Sequence, residues 1–278
     1  VKRVVLAVLF LGLSLFFGVR AYLEYAAGAD AGEMFDSLAE QINLPPVTAR
    51  PSPSIGPEAP EKPGTGEPPA AAAPAEDEPS LWTPADKYSA LFERNEDMIG
   101  WIAIDGTAVN YPVMHAPDRK DFYLKRNFER GYCDYGVPYA AEHAPVDPQG
   151  GNIVIYGHNM KNGTMFAALE SYKDRAFYER HPIIRFDTRA GFGLYEIIAV
   201  FTVYPADFDY HLFTGGNGTA EFDEFTRRCA ELSFYETGAA AEYGDKLITL
   251  STCEYTRQDN RLVVVAKQTE LLPHIGYD

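Results

Sequence analysis

The chain has 278 residues, with 24 Lys plus Arg against 40 Asp plus Glu and a net charge of −16. That length gives room for one good-sized domain and appendages, and the acidity argues against nucleic acid as a main partner, because phosphate binding needs a basic face. With 46% hydrophobic residues the chain can fill a core, while its three cysteines, Cys133, Cys229 and Cys253, are too few and too widely spaced for a disulfide framework or a zinc site.

Lys2-Arg3 precede an uncharged apolar run from Val4 to Val19, which Arg20 interrupts. At about 1.5 Å per residue the run spans about 24 Å, a little short of a hydrocarbon core; continuing through Leu23, with Arg20 snorkelling, supplies the rest. Positive charge ahead of the run places the amino end in the cytoplasm and the remainder outside the cell. The run exceeds a usual signal core, so residues 1–27 are read as a retained single-pass membrane anchor rather than a cleaved signal peptide. Residues 28–84 are read as an extracellular stalk. Twelve of the twenty prolines lie between Pro45 and Pro84, mixed with Ala, Glu and Gly, a composition that cannot bury enough apolar surface to fold.

Residues 85–278 form the folded domain. Asp86 to Glu96 has helical spacing. Trp101 to Ile104 and Ala108 to Val113 are strands flanking Asp105-Gly106, a hairpin signal. Asn152 to Tyr156 is a short buried-type strand and Met165 to Phe177 a helix. Ile183 to Phe186 and Leu194 to Val203 are strands, Phe222 to Leu232 is an amphipathic helix with Cys229 on its core face, and Leu247 to Thr252 and Arg261 to Lys267 are the last two strands. Many short strands with a few inserted helices predict a closed or nearly closed barrel.

Three segments carry candidate chemistry. An apolar strand delivers Cys253 to its carboxyl end, where a rigid scaffold presents side chains to a cleft; by position alone Cys253 is either a nucleophile or a small buried hydrophobe. His158 follows another strand in Tyr156-Gly157-His158-Asn159-Met160, with a glycine before it that allows close backbone approach; five other histidines compete with it. Arg261 opens the strand after Cys253, either as a cation for an oxyanion or as a surface arginine paired with Asp259 or Glu254.

Together these segments resemble the sortases, and specifically class B. The resemblance rests on Thr249-Leu250-Ser251-Thr252-Cys253 with Arg261 eight residues on, on Ile155-Tyr156-Gly157-His158-Asn159-Met160 followed by Thr164-Met165-Phe166, and on Ile99-Gly100-Trp101-Ile102 with Asn110-Tyr111-Pro112-Val113. It runs from about residue 88 to 268. It implies a mainly β fold, an eight-stranded sortase β-barrel with amino-terminal helices, and a cysteine transpeptidase with no metal and no cofactor. Cys253, His158 and Arg261 would be catalytic, and Asn110, Met114, Tyr210, Ser251 and Glu254 would line the substrate groove. The implied partners are surface proteins bearing a carboxy-terminal sorting signal and a peptidoglycan-precursor amine, at the outer face of a Gram-positive-like cell. Neither a pilus-type lid motif nor a second apolar span is present in the sequence, which favours wall anchoring over pilin polymerisation. A catalytically silent, membrane-tethered binding module on the same scaffold is the reading from a different class.

Overall fold

A computed structural model describes residues 2–42, 81–146, 151–216, 218–255, 259–272 and 275–276. In chain order the elements are α1 (Lys2–Glu40), β1 (Leu81–Trp82), α2 (Pro84–Arg94), β2 (Met98–Ala103), β3 (Asn110–Met114), β4 (Tyr139–Ala140), β5 (Asn152–Tyr156), α3 (Arg175–Arg180), β6 (Ile183–Thr188), β7 (Phe192–Val203), α4 (Thr219–Leu232), β8 (Leu247–Cys253), β9 (Arg261–Leu272) and β10 (Ile275–Gly276), with 3-10 turns at Phe122–Lys125, Phe166–Lys173 and Tyr210–Leu212. Eight strands close a barrel in the order β2-β3-β4-β5-β8-β9-β7-β6, while β1 and β10 form a separate pair. The β3–β4 and β5–β8 pairs are parallel and the other barrel pairs antiparallel. This is the closed barrel that the strand pattern predicts, with the amino-terminal helices that the resemblance implies.

Strand periodicity explains how both faces of the barrel wall are used. Along β8 and β9, Ile248, Leu250, Leu262, Val264 and Ala266 enter the main core cluster, and the alternate residues Leu247, Val263 and Val265 enter a second cluster with Phe222, Phe225 and Cys229 of α4. Both faces are therefore covered, and the polar residues among them are bonded. Thr249 Oγ1 donates to Asn152 Oδ1 (2.9 Å), and Asn152 Nδ2 donates to the Phe213 carbonyl (2.8 Å), as buried polar groups require.

The helices have local causes. Thr83 caps α2 with a reciprocal capping box to Asp86, and Pro84 occupies the first turn, where no amide donor is needed. Tyr88 of α2 stacks on Trp101 and donates its hydroxyl to the buried Asp187 (2.5 Å). The helix expected over Met165 to Phe177 is instead a 3-10 run followed by α3. Asp174 separates the two with extended backbone and caps α3 by accepting from the Ala176 amide. The hairpin loop is longer than the Asp105-Gly106 pair: Ala103 faces Asn110 across the ladder, and Gly106 supplies a positive φ of 75° in the turn between.

The reading of residues 28–84 as one stalk is corrected. Ala31, Phe35 and Leu38 recur at one face of α1, Ile42 follows its end, and all four are buried in the main core cluster with β3 and α2 residues. Residues 43–80, the rest of the expected stalk, lie outside the described residues. Over the residues whose side chains are described, no helix is long and apolar enough to cross a membrane.

Candidate active site

β5 and β8 run parallel with Asn152 opposite Leu247 and Tyr156 opposite Ser251, a constant offset of 95 residues. The same offset separates His158 from Cys253, so both leave their strands at the same level of the sheet. Gly157 N–H donates to the Ser251 carbonyl (3.1 Å) and Thr252 Oγ1 to the Gly157 carbonyl (2.7 Å), which keeps the strands joined past the last ladder pair. On the other side of β8, Cys253 faces Arg261 of antiparallel β9. Directly opposed residues share a face, and Arg261 Nη1 lies 3.4 Å from Cys253 Sγ.

Cys253, His158 and Arg261 line one cleft of about 770 Å³. Tyr210 and Ser251 line it too, and their hydroxyls are 2.8 Å apart. Burial pushes the Tyr210 hydroxyl up, only partly offset by the Ser251 bond and the Arg261 charge; it stands in the cleft as a neutral phenol.

Three residues expected in the groove are elsewhere. Asn110 accepts from Trp101 Nε1 (2.7 Å) at the start of β3. Met114 is fully buried in the main core cluster. Glu254 is buried beneath the cleft and accepts from Lys173 Nζ (2.8 Å) and Asn260 Nδ2 (3.0 Å), so the Arg261–Glu254 pair considered from sequence gives way to Arg261–Cys253. Partial burial opposes the charge on Lys173, but its bonds to Glu170 and Glu254 outweigh that and hold it above the ordinary lysine range. Asn159 ties this network to the strand of Cys253 by donating to Glu170 Oε1 (3.2 Å) and to the Cys253 carbonyl (2.9 Å).

The group that orients His158 is a backbone atom. His158 Nε2 lies 2.7 Å from the Leu124 carbonyl oxygen. A carbonyl only accepts, so Nε2 carries the proton and Nδ1 is left for proton transfer. No residue-type signal reveals such a partner in the sequence. Two glycines protect this arrangement. A Cβ at Gly157 would lie 2.5 Å from the buried Phe166 ring. A Cβ at Gly136, whose φ is 59°, would lie 2.5 Å from the Leu124 carbonyl oxygen itself. Gly136→Ala is therefore expected to push that carbonyl off His158 and to lower kcat at least about tenfold, since small displacements of catalytic groups are costly. It should also destabilise the fold by about 1 kcal/mol or more; steady-state kinetics beside urea unfolding checks both.

The turn that presents Leu124 is held by Asp97, which accepts from Tyr123 Oη (2.6 Å), Arg119 Nη2 (2.9 Å) and Arg130 Nε (3.1 Å). Desolvation raises this carboxyl, but the bonds from Tyr123, Arg130 and Arg119 outweigh it and leave it below the ordinary range. A carboxyl depressed in the folded state stabilises fully above its unfolded value, about 3.9, and loses that contribution as pH falls through the folded value. Asp97→Asn is expected to lower stability at neutral pH and to flatten the acid limb below about pH 4. Urea midpoints measured from pH 2 to 7 test this.

The model of the sortase domain family matches residues 102–269. The chain belongs to the sortase family. It is 33% identical over 184 residues to sortase B of Staphylococcus aureus, covering 65% of this chain and 74% of that protein, and 31% identical over 185 residues to sortase B of Listeria monocytogenes, covering 66% and 74%. A solved S. aureus sortase B–substrate complex superposes with a TM-score of 0.61 at 30% identity, over 66% of this chain and 85% of that one. The barrel is the sortase B barrel, and the protein is a class B sortase, a cysteine transpeptidase. Within this sortase all three cysteines are free thiols. Cys229 is buried on the core face of α4 as predicted, and burial pushes its thiol well up.

Proposed function

We propose that this sortase cleaves a carboxy-terminal sorting motif after threonine and transfers the acyl group to a cell-wall precursor amine. Cys253 would act as nucleophile, Arg261 as oxyanion donor and His158 as general acid and base. The observation that carries this reading is the convergence of the three side chains on one cleft, with Arg261 Nη1 3.4 Å from Cys253 Sγ.

His158 Nδ1 takes the Cys253 thiol proton, leaving an imidazolium and a thiolate whose sulfur accepts from the Arg261 guanidinium. The thiolate attacks the threonine carbonyl carbon, and the carbonyl electron pair becomes an oxyanion beside the same guanidinium. As the oxyanion collapses, the leaving amine takes its proton from His158 Nδ1 and a thioester to Cys253 remains. The incoming amine gives a proton back to His158, attacks the thioester and releases the thiolate. Throughout, the Leu124 carbonyl holds Nε2–H and fixes the ring, the duty a carboxylate performs in other triads. Arg261→Ala is expected to cut kcat by about 10²–10³, with KM changed far less. Arg261→Lys should recover only part of the loss, because lysine keeps the charge but not the planar donor fork; single-turnover acylation rates distinguish the two.

The sequence run from Val4 to Val19 and the helix above it support an anchor. Phe10, Leu11, Leu13, Leu15, Phe16, Phe17, Val19 and Tyr22 are all exposed on α1, a surface suited to lipid rather than water. With Lys2-Arg3 ahead of the run, the catalytic domain would stand outside the cell, where surface proteins and wall precursors meet it.

The test is a library of quenched pentapeptides of Asn-Pro-x-Thr-x and x-Pro-x-Thr-Gly type, each incubated with and without glycine-based and diaminopimelate-type amines. Cleavage after threonine with an amine-dependent product supports the reading. Cleavage indifferent to amine would make it a hydrolase, and no turnover by the folded protein would make it a binding module.

A further inference from the structure

α1 is one unbroken helix from Lys2 to Glu40, and its carboxyl-terminal part is built into the barrel domain. Phe35 meets the Tyr111 ring edge-on at 5.0 Å, and Leu38 and Ile42 are buried. Gly28 abuts Tyr135 and Asn162. After the 43–80 segment the chain rejoins the same domain at β1 and α2, where Tyr88, Leu91 and Phe92 share the core cluster with Phe35 and Leu38. The covalent path from the apolar run to the barrel therefore passes through helix, and Ile42 and α2, on either side of residues 43–80, belong to one core cluster.

The docked helix also bears on the histidine loop. Tyr111, against which Phe35 packs, accepts from the Met165 amide (3.0 Å), and the adjacent Phe166 amide donates to the His158 carbonyl (2.8 Å). Asn162, beside Gly28, lies in that same loop and donates to Tyr135 Oη (3.2 Å). From Arg20 to Gly28 the helix rises about 12 Å, so among the described residues contact with the catalytic domain begins within about two turns of the apolar run.

We propose that α1 is a rigid strut that fixes the catalytic cleft at one short height above the membrane, and that the Pro-rich segment contributes no reach. The proposal rests on the anchor reading above. It makes the bilayer surface the neighbour of the loops around Tyr135 and Asn162.

The experiment uses the full chain in anionic phosphatidylglycerol vesicles. With Cys133→Ser as background, a methanethiosulfonate dye on Cys253 reports energy transfer to headgroup-labelled lipid. Replacing residues 43–80 by twelve Gly/Ser residues, which reach at most about 40 Å, is expected to leave transfer unchanged. Unlabelled, the same replacement is expected to keep peptide-cleavage activity within twofold. Inserting six Gly/Ser residues between Tyr25 and Ala26 frees the domain over a distance on the order of 13 Å and is expected to lower transfer. Flotation of the vesicles reads the anchor separately. Failure to float overturns the anchor reading and this proposal with it. Flotation with transfer altered by the loop replacement, or unaltered by the insertion, overturns the strut alone, as does loss of activity on loop replacement.

Discussion

Cys253→Ala is expected to abolish acyl transfer, with a loss of at least about 10³-fold, while leaving the fold and peptide binding nearly intact. Cys253 sits at the last position of β8 and is only partly buried, so removing its sulfur opens no cavity of the kind that costs several kcal/mol. The backbone contacts that set its position, Asn159 Nδ2 to its carbonyl and the ladder to Arg261, do not depend on the thiol. What is lost is the nucleophile, and without a covalent intermediate the two-step route closes. Cleavage assays should fall to background while calorimetric peptide affinity stays within a few-fold; loss of binding and of thermal stability together would point to a structural thiol.

His158→Ala is expected to reduce kcat by about 10²–10⁴, the range for a positioned general acid and base. The loss should depend on the leaving group. An amine must be protonated to leave, whereas a threonine thioester substrate leaves without a proton, so the defect should shrink to about tenfold or less for the thioester. Equal losses for both would mean that His158 serves the cleft by packing or by its bond to Leu124 alone. Acylation rates for matched amide and thioester peptides decide between these.

Much of the site was legible because side-chain chemistry and strand position coincide. Cys253 and Arg261 stand at strand ends and His158 two residues past one, and their sequence spacing matches the register of neighbouring strands. Tyr210 was placed in the cleft by resemblance, and the structure puts it there beside Ser251. Asn110 and Met114 lie outside the cleft for a physical reason: motif spacing names the strand, but the partner each side chain finds, Trp101 for Asn110 and the main core for Met114, decides where it goes. Glu254, next to Cys253 in sequence, is buried and meets Lys173, 81 residues earlier. The Leu124 carbonyl could not be found from sequence, because every residue has one. Composition also set the wrong lower bound for the domain. The prolines begin at Pro45, but the helix ahead of them carries its apolar face at Ala31, Phe35 and Leu38, with Ile42 just beyond it, and that spacing is the readable signal that the folded domain extends into it.

The central claim is that Cys253 carries the acyl group between donor and amine. Intact-mass spectrometry of the full chain, quenched in acid seconds after mixing with a cleaved sorting peptide, tests it most directly. The predicted result is a mass increase equal to the peptide acyl fragment, mapped to Cys253 and chased away by added amine with matching product. A folded enzyme that turns the peptide over with no adduct at Cys253, or with an adduct that amine does not discharge, would contradict it.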